Sequence, residues 1–483
     1  MFRSFIALIL CSCAFKATAQ PQLKIDSVTV AGQYSHYTHQ PGNVFSVIVY
    51  DWTSSYQKKY SAPIDASGKF SIRFPFPVAG DILLDWDRIG EVNGALPGET
   101  IRFYADLDEY KNGKKPVNTR FEGINANMHA GIMRYRQDVS KFPGEEFYKL
   151  RDHVTSSMAF RDSVTGILQR SLRTLDEYAG KRRLDKHSRQ FLEADLRYAA
   201  VAALSQFSRT LSDSPRDLSG NGYFQTLDSI KALAQSGGFF TGDYMTVLRD
   251  IKFHAYMTAS KNKTKNIDSV LNPLLDNPVE KELSKTWDLS LKLAASNPLE
   301  DSALQAFETK VKNPFLRSEI HARNNELVML AQDDRLLENT RLITSIPQSA
   351  SAEEMLAHIA SRFKGKVIYM DIWGTWCMPC REQMKYTPVL KQRLKGKDVV
   401  FVYLANRSPE TAWKNAIKQH AITGDNVVHF NLPAAQQSMI EKKYLYGGFP
   451  TYIIIDKEGK FVTNQAPRPS EPDAVVKAIS DLL

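Results

Sequence analysis

From Leu23 to about Asp108 the chain runs in short β-rich stretches, Ser27 to Val30, Val44 to Tyr50, Lys69 to Phe74, Ile82 to Trp86 and Ile101 to Tyr104. Turn signals such as Ala66-Ser67-Gly68 and Leu96-Pro97-Gly98 fall between them, and short strands punctuated in this way predict a small all-β sandwich over residues 20–124. From about Asn125 the period changes. Phe147, Leu150 and Val154, then Val164, Leu168, Leu172 and Leu175, keep an apolar stripe at three- and four-residue steps, as on one face of a helix. Phe191, Leu192, Leu196, Ala199, Ala203 and Phe207 repeat the pattern, as do Leu283, Trp287, Leu291 and Ala294, so residues 125–345 are expected to form an α-helical domain with breaks at Gly220, Gly222, Gly237 and Gly238. The mostly polar, small stretch Ile346 to Ser351 reads as a boundary. After it strands and helices alternate, which predicts an α/β domain over residues 350–483.

A chain of 483 residues is long enough for several cores of ordinary size. Its apolar fraction of 43% and charged fraction of 24% are those of a folded globular protein. The N-terminus is different. Arg3 precedes an apolar stretch from Phe5 to Phe15, and Ala17-Thr18-Ala19 supplies small residues ahead of Gln20, the pattern of a cleaved export signal over residues 1–19. The apolar stretch is shorter than the roughly 20 residues needed to span a bilayer. A second reading stays open: Leu10-Cys11-Ser12-Cys13 resembles a lipobox, which would make Cys13 a lipid anchor. Either way the protein is expected outside the cytoplasm, in a periplasm or cell envelope. Without Arg3 and Lys16 the net charge falls from +9 to +7, and no dense basic run interleaved with aromatics marks a nucleic-acid partner.

Of the four cysteines, Cys11 and Cys13 lie in the leader, which leaves Cys377 and Cys380. An exported protein of this size with a single close pair is expected to use it for chemistry rather than as a staple. Val367 to Trp373 has the composition of a buried strand, Gly374-Thr375-Trp376 a turn, and the segment from Cys377 to about Leu394 a helix. A C-x-x-C that opens a helix after a strand places Cys377 among unsatisfied backbone N–H groups, which favour the thiolate needed to attack a disulfide. Cys380, one turn on, can resolve the mixed disulfide. Structural zinc is the competing use of such a pair, but it takes four ligands and the mature chain offers no second pair of cysteines. His36 and His39 read as surface histidines. No metal or cofactor is expected beyond the cysteine pair itself.

The run Val367 to Arg381 resembles the active site of the thioredoxin-like TlpA/ResA family, and Gly448-Phe449-Pro450-Thr451 with the apolar residues up to Asp456 resembles that family's cis-proline strand. The resemblance covers residues 350–483, a little over a quarter of the chain, with both motifs in order. It implies a thioredoxin-like fold, a buried acid at Asp371 that moves a proton to or from Cys380, and a cis peptide bond before Pro450 opposite the cysteines. Phe449 would offer main-chain hydrogen bonds to an extended substrate, and Trp376 would line the exposed sulfur. The competing reading of Asp371 is a strand residue satisfied by hydrogen bonds, and that of Phe449 and Trp376 is packing. Gln383 and Lys385 stand where many relatives carry Glu and Pro, with Pro388 further on, so the helix should kink at a shifted place.

Two functions follow. The first is a thiol:disulfide oxidoreductase acting on protein disulfides and fed by a membrane thiol donor, with the resemblance favouring a reductant, as in cytochrome c maturation, over a disulfide-forming oxidant. The second is an envelope binding protein whose β and helical regions hold a protein or glycan partner, with the redox domain as a regulated appendage. The β-plus-helical extension is similar to those of envelope thioredoxin-like proteins of Bacteroidetes-type bacteria.

Overall fold

The structure is a computed structural model, and it describes residues 21–483 apart from 41, 87–88, 111–118, 140–142, 155, 211–237, 265, 276–277 and 350. The expected leader, with Cys11 and Cys13, and the breaks at Gly220, Gly222 and Gly237 lie outside the described residues. The chain divides into two compact units, residues 1–284 with 313–316 and residues 285–312 with 317–483.

In the first unit, strands β1 (Ser27–Ser35), β2 (Val44–Asp51), β3 (Tyr56–Pro63), β4 (Lys69–Pro75), β5 (Gly80–Trp86), β6 (Ile89–Ala95), β7 (Thr100–Asp106) and β8 (Arg120–Glu122) form two four-stranded sheets, ordered β4-β1-β7-β8 and β3-β2-β5-β6. Alternate residues of both sheets, among them Val28, Val30, Phe45, Val47, Ile101 and Phe103, meet in one core, the arrangement of a sandwich. Three of the strands escape the hydrophobic pattern, the shortest being β8 with three residues. β3 carries Lys58 and Lys59 at the edge of its sheet, and β6 contains Gly90 and Gly94. Charge on an edge strand keeps it from pairing with other chains, which hides it from an apolar pattern. Helices α1 (Ala126–Asp138), α2 (Pro143–His153), α3 (Ser157–Arg182), α4 (Lys186–Thr210) and α5 (Gly242–Lys261) also belong to the unit.

The division between the units falls within α6 (Pro278–Ala294). Its apolar stripe turns out shorter than the sequence suggests. Leu283 and Trp287 are buried, but Leu291 and Ala294 are exposed while Ser290 and Leu293 are buried. Steps of four residues overshoot a 3.6-residue turn, so Leu291 has rotated off the face that Leu283 begins.

In the second unit, α7 (Asp301–Lys310) and α8 (Pro314–Gln332) precede a six-stranded sheet with helices on both faces. The sheet is built from β9 (Arg341–Ile343), β10 (Val367–Trp373), β11 (Val399–Ala405), β12 (Val427–Phe430), β13 (Thr451–Ile455) and β14 (Phe461–Thr463), in the order β14-β13-β10-β11-β12-β9. β9, β12, β11 and β10 are parallel, β13 pairs antiparallel with β10, and β14 pairs antiparallel with β13. The edge strand β9 lies ahead of the polar stretch 346–351. β10 is buried along its whole length, as expected of a central parallel strand. Its side chains alternate between two cores: Ile368, Met370 and Ile372 face α9 (Ala352–Ser361) and α13 (Ala434–Tyr444), while Val367, Tyr369 and Trp373 share the other core with both cysteines. The second core is covered by α10 (Met378–Met384), α11 (Thr387–Arg393), α12 (Glu410–Gln419) and α14 (Pro472–Ser480).

The helix after the cysteines breaks between α10 and α11, where Pro388 enters the first turn of the second segment. This is the displaced kink that the sequence implies. Gln383 sends its side-chain oxygen to the backbone N–H of Ser470 at 3.0 Å, holding the approach to α14.

Candidate active site

Strand β10 ends at Trp373, and the backbone then turns so that Cys377 N–H donates to the Gly374 carbonyl at 2.9 Å. The turn tolerates only glycine at its start: a Cβ on Gly374 would stand 2.6 Å from Nε1 of Trp376 and 3.0 Å from the Asn406 carbonyl. Cys377 is the N-cap of α10, and its Sγ accepts from the Cys380 N–H at 3.2 Å. Pro379 sits in the first turn, where a missing N–H leaves no bond unmade. Cys377 and Cys380 are joined as a disulfide with Cα atoms 5.3 Å apart. Both residues are buried, Cys380 completely and Cys377 nearly so.

Asp371 lies one alternation before Trp373, so its side chain leaves the strand on the face that carries the cysteines. Across the sheet it is paired with Tyr403 on β11 and Tyr452 on β13, and one carboxyl oxygen, Oδ1, has no hydrogen-bond partner. Burial pushes its pKa up to about 8, and Tyr452 opposes the shift only in part. Asp371 is therefore not a strand aspartate satisfied on all sides. Tyr403 and Tyr452 do not stand out in the sequence, because cross-strand register is not written in any local pattern. Burial raises the pKa of Tyr403 and of Tyr452, and Asp371 adds to both shifts.

The bond between Phe449 and Pro450 is cis. The loop before it contains Gly448 at φ +110°, and Thr451 ties it down by donating from Oγ1 to the Gly448 carbonyl at 2.8 Å and accepting from Tyr446 N–H at 3.1 Å. Phe449 is partly buried against the core that holds the cysteines. Its ring meets Trp376 edge-on, with centroids 5.1 Å apart. The C-x-x-C turn and the cis-proline loop, 70 residues apart in the sequence, are thus brought into contact by their aromatic residues. Trp376 is 44% exposed, which leaves it a surface residue at the disulfide, whereas Trp373 is wholly buried.

Further residues complete the rim. Arg381, directly after Cys380, donates from Nε to Nε2 of His420 at 3.1 Å. His420 is pushed down to about 4 by burial, with Arg381 and Lys385 adding to the shift, so it is the neutral acceptor of that bond. Asn406 accepts from Trp376 Nε1 at 3.1 Å, and the Arg407 guanidinium lies over the Trp376 ring. The histidines read as surface residues lie elsewhere: His36 pairs with Asp106 at 2.8 Å and not with His39.

Comparison with known proteins places this site in a class. Residues 365–461 match the thioredoxin-like family. Thiol-disulfide oxidoreductase ResA of Bacillus cereus is 35% identical over 99 residues, covering 20% of this chain and 54% of that protein. The ResA of Bacillus subtilis is 28% identical over 102 residues, with coverage of 21% and 54%. The crystal structure of the thioredoxin domain of a thiol-disulfide oxidoreductase from Bacteroides vulgatus matches at 25% identity, covering 26% of this chain and 84% of that one, with a TM-score of 0.22. The C-terminal unit therefore carries a thioredoxin-like domain. That domain is TlpA/ResA-like, and a large N-terminal extension precedes it. The chain spans about half the length of the curated relatives it matches.

Proposed function

We propose that the chain is an exported thiol:disulfide oxidoreductase that reduces protein disulfides through Cys377 and Cys380, with no cofactor beyond that pair. The observation that carries this reading is the juxtaposition of a disulfide at a helix start, the cis-proline loop and a buried carboxyl on one face of the sheet. In the reduced protein the Cys377 thiolate attacks one sulfur of a substrate disulfide, forming a mixed disulfide and releasing the other substrate sulfur as a thiolate. Cys380 then loses its proton to the ionised form of Asp371 and attacks Cys377 Sγ, which re-forms the Cys377–Cys380 disulfide and expels the second substrate thiolate. Two electrons have passed to the substrate, and a membrane thiol donor returns two to the protein. Trp376, Phe449 and Pro450 line the approach, where an extended substrate would add its backbone as a strand.

The decisive measurement is the reduction potential of the pair in the full chain, by equilibration against glutathione and dithiothreitol, with Cys377→Ser as control. A value at or below roughly −250 mV is expected, and one near roughly −120 mV would make the protein a disulfide-forming oxidant instead. Export is tested separately by the mass of the mature N-terminus: a free Gln20 is expected from simple cleavage, an acylated Cys13 would mean a lipid anchor, and an intact Met1 would sink export through a cleaved leader. Among the described residues no helix is long and apolar enough to cross a membrane.

A further inference from the structure

The lip of the disulfide carries a cation that the exchange steps above do not use. Arg407 follows strand β11 with φ +40°, a left-handed conformation that a non-glycine residue adopts only when its surroundings hold it there. Asn406 N–H donates to the Trp373 carbonyl at 2.7 Å, and the Asn406 carbonyl accepts from both Trp376 Nε1 at 3.1 Å and Ser408 Oγ at 2.9 Å. Ser408 Oγ in turn accepts from Thr375 N–H at 3.0 Å. The loop that bears Arg407 is therefore bonded directly to the turn that bears the cysteines.

The side chain is fixed as well. The Asn406 amide donates through Nδ2 to Glu441, which also accepts from Gln437 at 2.9 Å. That fixes which end of the amide faces Arg407: Oδ1, which accepts the Arg407 Nε–H at 2.8 Å. With Nε held, the guanidinium lies over the Trp376 indole, 5.1 Å from its centroid, within the range of a cation–π contact. Trp376 immediately precedes Cys377 and leans on Phe449 of the cis-proline loop. Arg407 is exposed, and among the described residues it enters no ion pair. Glu441 accepts through Oε1 from both Asn406 and Gln437, while Glu410 pairs with Lys414 and Glu382 with Lys385. Its two terminal NH₂ groups form the fork that binds carboxylates in pairs of parallel hydrogen bonds, and a fork already immobilised loses little freedom when it does so.

We propose that Arg407 is a specificity residue that binds a carboxylate carried next to the reacting cysteine of the partner, so that the protein exchanges preferentially with disulfides flanked by acidic side chains or by a chain terminus. The proposal rests on the exchange reaction proposed above and assigns its substrate class.

The test uses the reduced full-length protein and two peptide disulfides of the same length, one with Glu and the other with Gln on both sides of each cysteine. Oxidation of the Cys377–Cys380 pair is followed by stopped-flow tryptophan fluorescence. Hydrogen bonds to charged groups are strong enough for the acidic peptide to react about tenfold faster, with an advantage that shrinks between about 20 mM and 0.5 M salt. In Arg407→Gln the ratio should fall to about one, and Arg407→Lys should restore only part of it. A wild-type ratio near one, or a ratio that survives Arg407→Gln, overturns the proposal. So does an equal slowing of both peptides, which would mean that the arginine acts on the Cys377 thiolate and not on the partner. If the wild type oxidises with neither peptide, the exchange reading itself fails and this proposal with it.

Discussion

Asp371 stands in a strand whose neighbours are Tyr369, Met370, Ile372 and Trp373, all buried. A carboxyl there is held neutral at a cost to the fold. Its pKa is about 8 in the native protein against an ordinary value of 3.8, and each tenfold change in proton affinity corresponds to about 1.4 kcal/mol. The sign follows by linkage. Below about pH 4 both folded and unfolded chains carry the proton, and the native state loses nothing. As pH rises the unfolded chain gives up its proton first, so stability is lost progressively until the folded carboxyl also ionises near pH 8. The variant Asp371→Asn removes that loss. Urea unfolding of the C-terminal unit at pH 4, 6 and 8 is expected to show the variant gaining on the wild type with pH, from near zero to roughly several kcal/mol, while the step in which Cys380 displaces the substrate slows. A difference that does not change with pH would mean that burial does not hold the Asp371 carboxyl neutral in the native protein. The residue was legible in the sequence because an acid in an apolar run is conspicuous. Its neighbours Tyr403 and Tyr452 were not, since they reach it only through the pairing of three strands.

Among the elements, what could be read from the chain depended on whether a segment's own periodicity decided its fate. β11 is apolar throughout and β10 and β13 are so but for Asp371 and Thr451, and all three were visible as strands; β3 and β6, carrying lysines or glycines, were not. α12 shows the limit most clearly. Its polar residues Asn415 and Lys418 are both buried. Asn415 donates to the carbonyls of Ser296 at 3.3 Å and Leu327 at 3.1 Å, and the Lys418 ammonium donates to the Leu330 carbonyl at 2.8 Å and pairs with Asp334 at 3.1 Å. Lys418 thereby meets the orphan carbonyls at the C-terminal end of α8, where a positive charge also complements the helix dipole. Gln419, the last residue of α12, takes a hydrogen bond from Ser296 and lies beside His420, the acceptor for Arg381. A helix from the long helical stretch is thus bonded through α12 to the residue after Cys380. No pattern within either segment announces this, because it depends on which helix covers which sheet.

At the scale of the whole chain, the polar stretch 346–351 suggested that the catalytic domain begins at 350, whereas the compact C-terminal unit begins at 285 and omits only 313–316. A composition shift marks where the chain is exposed, and that need not be where one core stops and another starts. The difference has a measurable consequence. A fragment starting at 350 keeps every residue from Asp371 to Pro450 but loses β9, whose Arg341, Leu342 and Ile343 pair with Val428, His429 and Phe430. It also loses Ile346, buried in the core behind the sheet, and the helix that covers Asn415 and Lys418. Burial of a large aliphatic side chain contributes about 1.5–3 kcal/mol, and the exposed edge of β12 would be left unpaired. Residues 285–483 are therefore expected to unfold in urea at a higher midpoint than residues 350–483, with a stability difference of roughly 3–5 kcal/mol, while both fragments exchange disulfides when folded. Equal midpoints would show that the preceding helices are passengers and that the boundary at 350 is the thermodynamic one. A higher midpoint with a steeper dependence on urea would show instead that they are part of the cooperative unit that holds the cysteines, since the slope follows the surface exposed on unfolding.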